Sequence, residues 1–175
     1  MSKIYPIEVF KLYFDGCSKG NPGQAGIGAV IYKNDEELWN GCEYVGHKTN
    51  NESEYLALIH GLEKALTLGI SELLVYGDSL LVINQMTKKY QVKSESLYKL
   101  NMRANEIVKH FDSVDFYHVF RTENKRADKL SNDALNKSSK PYVDDSETEL
   151  ITADSGVSDS NKTTKSFLPY IKKAW

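Results

Sequence analysis

The sequence predicts an α/β fold built on a five-stranded mixed sheet, antiparallel over its first three strands and parallel in its last two, with helices on its flanks. Three observations carry this expectation. The first 45 residues hold three strand-like runs separated by short polar links. Helical periodicity begins only near Asn51. From there helices and short apolar runs alternate, with connections long enough to cross over between parallel strands.

From Ile7 to Phe14 the chain is rich in β-branched and aromatic residues, then meets Asp15-Gly16, which reads as a strand closing in a turn. GNPGQAG follows as a loop. Gly16, Gly20 and Gly23 permit the tight turn and close backbone approach. Ala25 to Lys33 and Leu38 to Val45 form two further strands joined by the polar turn Asn34-Asp35-Glu36-Glu37. Short links between sequential strands make this an antiparallel meander.

Tyr55, Leu58, Ile59, Leu62, Ala65 and Leu66 recur at helical spacing between Asn51 and Leu68, and Gly69 closes the helix. Glu54 stands in its first turn. Leu73 to Tyr76, ended by Gly77-Asp78, has the length and apolarity of a buried parallel strand. A helix begins at Ser79 and carries Leu80, Leu81, Ile83 and Met86. Another runs from Ser94 to Phe111, with Ser94 as its cap ahead of Leu97. Val114 to Phe120 alternates as a strand, and Glu123 to Leu135 forms the last helix. With right-handed crossovers, this order sets Asp15 and Asp78 at the C-terminal ends of neighbouring strands, where open α/β sheets place ligands.

At 175 residues the chain accommodates one well-buried domain, expected over residues 1–136, and a tail. Residues 137–164 are dominated by Ser, Thr, Asp, Glu, Asn and Lys and bury too little apolar surface to offset ordering entropy, so 137–175 reads as a flexible polar tail. It ends in SFLPYIKKAW, where Phe167, Leu168, Tyr170, Ile171 and Trp175 interleave with Lys172 and Lys173. That segment reads as a docking site for a protein partner or as a flap that folds back on the domain. No apolar run approaches the roughly 18 residues of a membrane span, and the N-terminus lacks a signal-peptide pattern. An intracellular, cytoplasmic monomer with no membrane partner is the expectation. Cys17 and Cys42 form no CxxC pair and have no companion histidine spacing, so they read as free thiols.

Four carboxylates stand in separately punctuated segments: Asp15 in YFDGCSKGNPG, Glu54 in TNNESEY, Asp78 in LVYGDS and Asp128 in ENKRAD. Gathered in one place, they would resist ionising together unless cations neutralised them. Mg²⁺ suits such a site, because it favours carboxylate oxygen and keeps waters for a phosphate substrate. The formal charge of −2 and pI near 6.1 argue against a broad basic surface. Two bound divalent ions would reverse the sign of that charge.

In order, spacing and surrounding residues, these segments together resemble the type 1 ribonuclease H family over about residues 5–136. The resemblance is to the branch with a short last loop and no basic protrusion. It implies a ribonuclease H-like fold and an endonuclease that hydrolyses the RNA strand of RNA/DNA hybrids, leaving 5′-phosphate and 3′-hydroxyl ends. It also implies two Mg²⁺ or Mn²⁺ ions, one activating water and the other stabilising the departing 3′ oxygen. Asp15 would bridge them, with Asp128 on the attacking side and Glu54 and Asp78 on the leaving side.

By the same resemblance, Asn21, Asn50 and Asn51 would contact the minor groove of the hybrid and its 2′-hydroxyls. Thr49, assisted by Asn124, would grip a DNA phosphate. Arg121 would meet the scissile phosphate in a loop where many members carry a histidine, absent from RTENKRAD. His118 reads as a packed or edge residue. KKYQVKSES leaves no room for the basic protrusion of some relatives, so only Lys88, Lys89 and Lys93 remain as a small basic cluster. Weak, salt-sensitive hybrid binding is expected. The alternative is a catalytically inactive hybrid- or dsRNA-binding protein on the same fold, against which the retention of all four acids speaks.

Overall fold

A computed structural model describes residues 8–138 of the chain. Its elements are β1 (Phe10–Gly20), β2 (Gly23–Lys33), β3 (Glu36–Lys48), α1 (Asn50–Thr67), β4 (Glu72–Gly77), α2 (Leu80–Met86), α3 (Glu95–Val108), β5 (Ser113–His118), a 3-10 turn (Arg121–Glu123) and α4 (Lys125–Ser138). The strands form one sheet in the order β3-β2-β1-β4-β5. β1–β2 and β2–β3 pair antiparallel, β1–β4 and β4–β5 parallel, as expected for a mixed sheet of this class.

Pleating sends alternate residues of β1 to opposite faces. Leu12 and Phe14 join Tyr55, Leu58, Ile59 and Leu62 of α1 in the main core, with Ile27, Ala29 and Ile31 of β2 beside them. Asp15 and Cys17 fall on the other face, where α4 packs across β1, β2 and β3. Thr49 starts α1 with a capping box: its Oγ1 accepts from the Glu52 N–H at 3.2 Å, and Glu52 Oε2 accepts from the Thr49 N–H at 2.8 Å. Gly69 ends it in the left-handed region, at φ +75°.

Three expectations need correction. β1 does not close at Asp15-Gly16 but runs on to Gly20, pairing with β2 throughout, so GNPGQAG is a hairpin rather than a loop. Its turn is Asn21-Pro22, joined by a cis peptide, with Gly20 at φ +100°. β4, by contrast, stops pairing at Phe14–Gly77, so Asp15 is the first β1 residue to outrun its parallel neighbour. Second, the β2–β3 turn contains only Asn34 and Asp35, at φ 49° and 70°, the geometry of a two-residue hairpin, and Glu36 and Glu37 belong to β3. Third, Glu123 lies in the 3-10 turn, and α4 starts at Lys125.

Since α4 extends to Ser138, the first two residues of the expected tail are helical. The remainder, with SFLPYIKKAW, lies outside the described residues, as does Ile7. No helix among the described residues is long and apolar enough to cross a membrane. On the flank that α4 leaves uncovered, a row of tyrosines crosses the sheet. Tyr13 meets the Tyr32 edge at 5.7 Å and stacks on Tyr76 at 4.9 Å, and Tyr76 stacks on Tyr117 at 5.3 Å.

Candidate active site

Where β1 outruns β4, the side chains of Asp15, Glu54 and Asp78 each bring a carboxylate oxygen within 4.8 Å of the others. They arrive from three elements. Asp15 projects from β1, Asp78 follows Gly77 at the end of β4, and Glu54 stands in the opening turn of α1. The approach of α1 depends on Gly16: a Cβ there would lie 2.2 Å from the Ser53 carbonyl carbon and 2.3 Å from the Glu54 nitrogen. With no side chain in the way, the Gly16 N–H donates to Glu54 Oε2 at 3.2 Å.

Asp15 and Glu54 are buried, at 5% and 6% exposure, and Asp78 is half-buried. Burial is the largest influence on Asp15 and, with the neighbouring Asp78 and Asp128 charges, pushes its carboxyl up to about 7 against the opposing hydrogen bond from Ser131. Burial likewise raises Glu54 well above the carboxylate range, reinforced by Asp15 and Asp78 and opposed by the Gly16 N–H. Crowded oxygen donors that resist ionising for want of a counter-charge suit a hard divalent cation.

Asp128, the fourth acid, stands beside the cluster on α4 and is engaged by Arg121, whose Nη2 donates to its Oδ1 at 2.6 Å. That carboxylate holds the guanidinium proton more firmly than usual.

Asn124, expected to assist Thr49 at a DNA phosphate, stands behind the acids rather than at the surface. It is 1% exposed, and its amide nitrogen donates to the Phe14 carbonyl at 2.8 Å and to Asp78 Oδ1 at 3.0 Å. These bonds tie β1 and the end of β4 to the start of α4 behind the acids. The other expected contact residues lie at the surface. Asn21 and Asn50 are joined, the Asn50 N–H donating to Asn21 Oδ1 at 3.1 Å, and Asn51 is exposed beside them. Thr49 is half-buried, with its hydroxyl committed to the α1 cap. His118 is an exposed edge residue whose Nε2 lies 3.3 Å from the Asp78 backbone carbonyl. Lys88, Lys89 and Lys93 are exposed between α2 and α3.

Sequence reasoning did not single out Ser131, which is fully buried and hydrogen-bonds Asp15 Oδ2. Its position three residues after Asp128, on the same helical face, was the available signal.

Residues 13–134 match the family model described as reverse transcriptase-like. A bifunctional protein of Mycobacterium tuberculosis is 38% identical over 141 residues, covering 79% of this chain and 39% of that protein. RNase H1 from the halophilic archaeon Halobacterium salinarum has a similar crystal structure, with a TM-score of 0.72, 40% identity, and coverage of 73% of this chain and 98% of that one. LC11-RNase H1, solved in complex with an RNA/DNA hybrid, has a TM-score of 0.71 and 36% identity, covering 74% and 98% of the two chains. The chain spans less than two thirds of some curated relatives, 39% of the mycobacterial protein and 62% of the halobacterial ribonuclease HI.

Proposed function

The chain belongs to the type 1 ribonuclease H family, and from that premise we propose that it is an endonuclease that hydrolyses the RNA strand of RNA/DNA hybrids with divalent metal ions. The observation that carries this reading is the convergence of Asp15, Glu54 and Asp78 within 4.8 Å. A protein that only bound nucleic acid would gain nothing from buried carboxylates set against phosphates.

Asp15, Glu54, Asp78 and Asp128 would hold two Mg²⁺ ions, or Mn²⁺ in their place. Bound there, the ions supply an activated water and stabilisation of the departing oxygen. Overall, a water oxygen bonds to phosphorus, the P–O3′ bond breaks, and the products are a 5′-phosphate and a 3′-hydroxyl.

The remaining roles fall to the chain's own residues. Asn124 and the Gly16 N–H hold Asp78 and Glu54 in place, so little reorganisation is needed at the moment of reaction. Arg121 is exposed and adjacent, able to leave Asp128 for a non-bridging oxygen of the scissile phosphate. Asn21, Asn50 and Asn51 form a polar ledge where hairpin and helix meet, suited to minor-groove edges and 2′-hydroxyls. Thr49, which caps α1 immediately before Asn50, would meet a phosphate of the DNA strand beside that ledge.

The test compares labelled RNA/DNA hybrid, dsRNA, dsDNA and single strands with Mg²⁺, Mn²⁺ or EDTA. Metal-dependent cutting of the RNA strand in the hybrid alone is expected. Equal cleavage of single-stranded RNA, or activity surviving in EDTA, would sink the proposal. Hybrid binding without cutting in any metal would leave the inactive binder as the correct reading.

A further inference from the structure

β2 carries glycine at two positions that face α4. A Cβ on Gly28 would lie 2.5 Å from both the Ala127 carbonyl oxygen and the Ser131 nitrogen, and one on Gly26 would lie 2.4 Å from the Ser131 carbonyl oxygen. Backbone cannot yield at such distances, so any side chain there would lift the helix from the sheet. Their absence seats α4 directly on β2. Gly28 is also the register partner of Asp15, so the seat lies beside that acid.

Ser131 is thereby pressed against the acidic cluster. It is fully buried, and its hydroxyl donates to Asp15 Oδ2. The same hydroxyl oxygen lies 2.9 Å from the Asp128 backbone carbonyl, an acceptor within its own helix. A hydroxyl has one proton to give, and a buried carboxylate is a stronger acceptor than a carbonyl already serving its helix. The proton therefore goes to Asp15 whenever that carboxylate is charged.

We propose that Ser131 is a positioning residue for the divalent-ion site, fixing the Asp15 carboxylate in the orientation that brings one of its oxygens within 4.8 Å of the Glu54 and Asp78 oxygens. This rests on the acidic cluster being a metal site. It adds that α4 contributes to that site twice, through Asp128 and through the hydroxyl that orients a ligand on another element. The competing account is that Ser131 only bonds back to its own helix, as buried serines often do. In that case its hydroxyl has no bearing on the ion.

The experiment titrates EDTA-stripped full-length protein with Mn²⁺ by calorimetry, without nucleic acid, for wild type, Ser131→Ala and Ser131→Thr, alongside their metal-free melting temperatures. Ser131→Ala is expected to weaken Mn²⁺ binding about tenfold, the usual effect of removing a group that orients a metal ligand. Its hydrolysis should recover as Mn²⁺ is raised, with an unchanged KM for hybrid. Ser131→Thr, which keeps the hydroxyl, should bind more tightly than the alanine variant. Affinity within twofold of wild type in a folded Ser131→Ala protein overturns the proposal alone. Wild-type protein that takes up no Mn²⁺ overturns the metal-site reading with it. Should the alanine variant not fold, Ser131→Cys keeps the shape with a weak donor and is judged by the same two outcomes.

Discussion

Arg121 directs both Nε and Nη2 to a single oxygen of Asp128, at 3.1 and 2.6 Å. Three acids converge on one point, while the fourth already has a cation of the protein's own. The arginine side chain is 76% exposed, so the pair is screened and readily exchanged.

Arg121→Ala should therefore leave thermal stability almost unchanged, since exposed pairs contribute about 0–1 kcal/mol. With Asp128 uncompensated, Mn²⁺ uptake should tighten by about two- to fivefold, an effect of that same energetic scale. KM for hybrid should rise. Calorimetric titration and cleavage kinetics on one preparation measure both; weaker ion binding in the variant would show that Arg121 does not compete with metal.

A second prediction concerns pH. Burial pushes Asp15 up to about 7 and raises Glu54 as well, so in the folded chain both keep protons that the unfolded chain has already released. Their contribution to stability is complete below the unfolded carboxylate range, near pH 4, and is lost as pH rises through about 7. The metal-free protein should melt several degrees lower at about pH 8 than at about pH 5, and Mg²⁺ should recover the difference at the higher pH. Scanning calorimetry in EDTA and in Mg²⁺ provides the comparison. A metal-free melting temperature that climbs steadily from about pH 5 to 8 would contradict the sign.

Asp15→Asn should move stability and activity in opposite directions. Removing the charge relieves Glu54 and Asp78, and a gain of about 1–2 kcal/mol near pH 8 in EDTA is expected. Hydrolysis of hybrid should fall by roughly a thousandfold or more, because a proposed metal ligand is lost. Urea denaturation and a cleavage assay decide the matter. A variant no more stable than wild type, yet inactive, would remove the electrostatic account while leaving the catalytic one.

Gly16→Ala tests the contact that admits α1. A methyl group 2.2 Å from the Ser53 carbonyl carbon must displace backbone, at a cost of about 3 kcal/mol or more. The displaced element carries Glu54, so divalent-ion affinity should fall together with stability. Denaturation with Mn²⁺ titration of the surviving folded fraction would detect both losses, and a near-neutral substitution would count against the close approach.

Much of the architecture was legible because burial leaves a local trace. Leu12 and Phe14 alternate on β1, and Tyr55, Leu58, Ile59 and Leu62 repeat along α1, so the periods of strand and helix could be read directly. Asp15, Glu54 and Asp78 stood out because each carboxylate sits at the border of an apolar run. Gly16 admits a close backbone approach as expected, but the strand end read at Asp15-Gly16 was wrong, because nothing local separates a glycine that also turns the chain from one that another backbone only approaches. The bonds of Asn124, which was singled out only for a phosphate contact, and the whole of Ser131 stayed hidden for a different reason. Their partners Phe14 and Asp15 lie 110 and 116 residues away, and in sequence each resembles an ordinary polar residue at the start or on the face of an amphipathic helix.

The tyrosine row has a practical use at a distance from the acids. Tyr13, Tyr76 and Tyr117 belong to β1, β4 and β5, the three parallel strands, and stack at 4.9 and 5.3 Å. Rings held so closely in fixed orientation couple their electronic transitions, and their contribution to the near-ultraviolet circular dichroism reports on the packing of these strands. Trp39 of β3, which packs beside His60 of α1, gives fluorescence from the antiparallel side of the sheet once Trp175, the second tryptophan of the chain, is replaced by phenylalanine. In a Trp175→Phe protein the two signals report on different halves of the sheet, so the order of unfolding can be followed without labels.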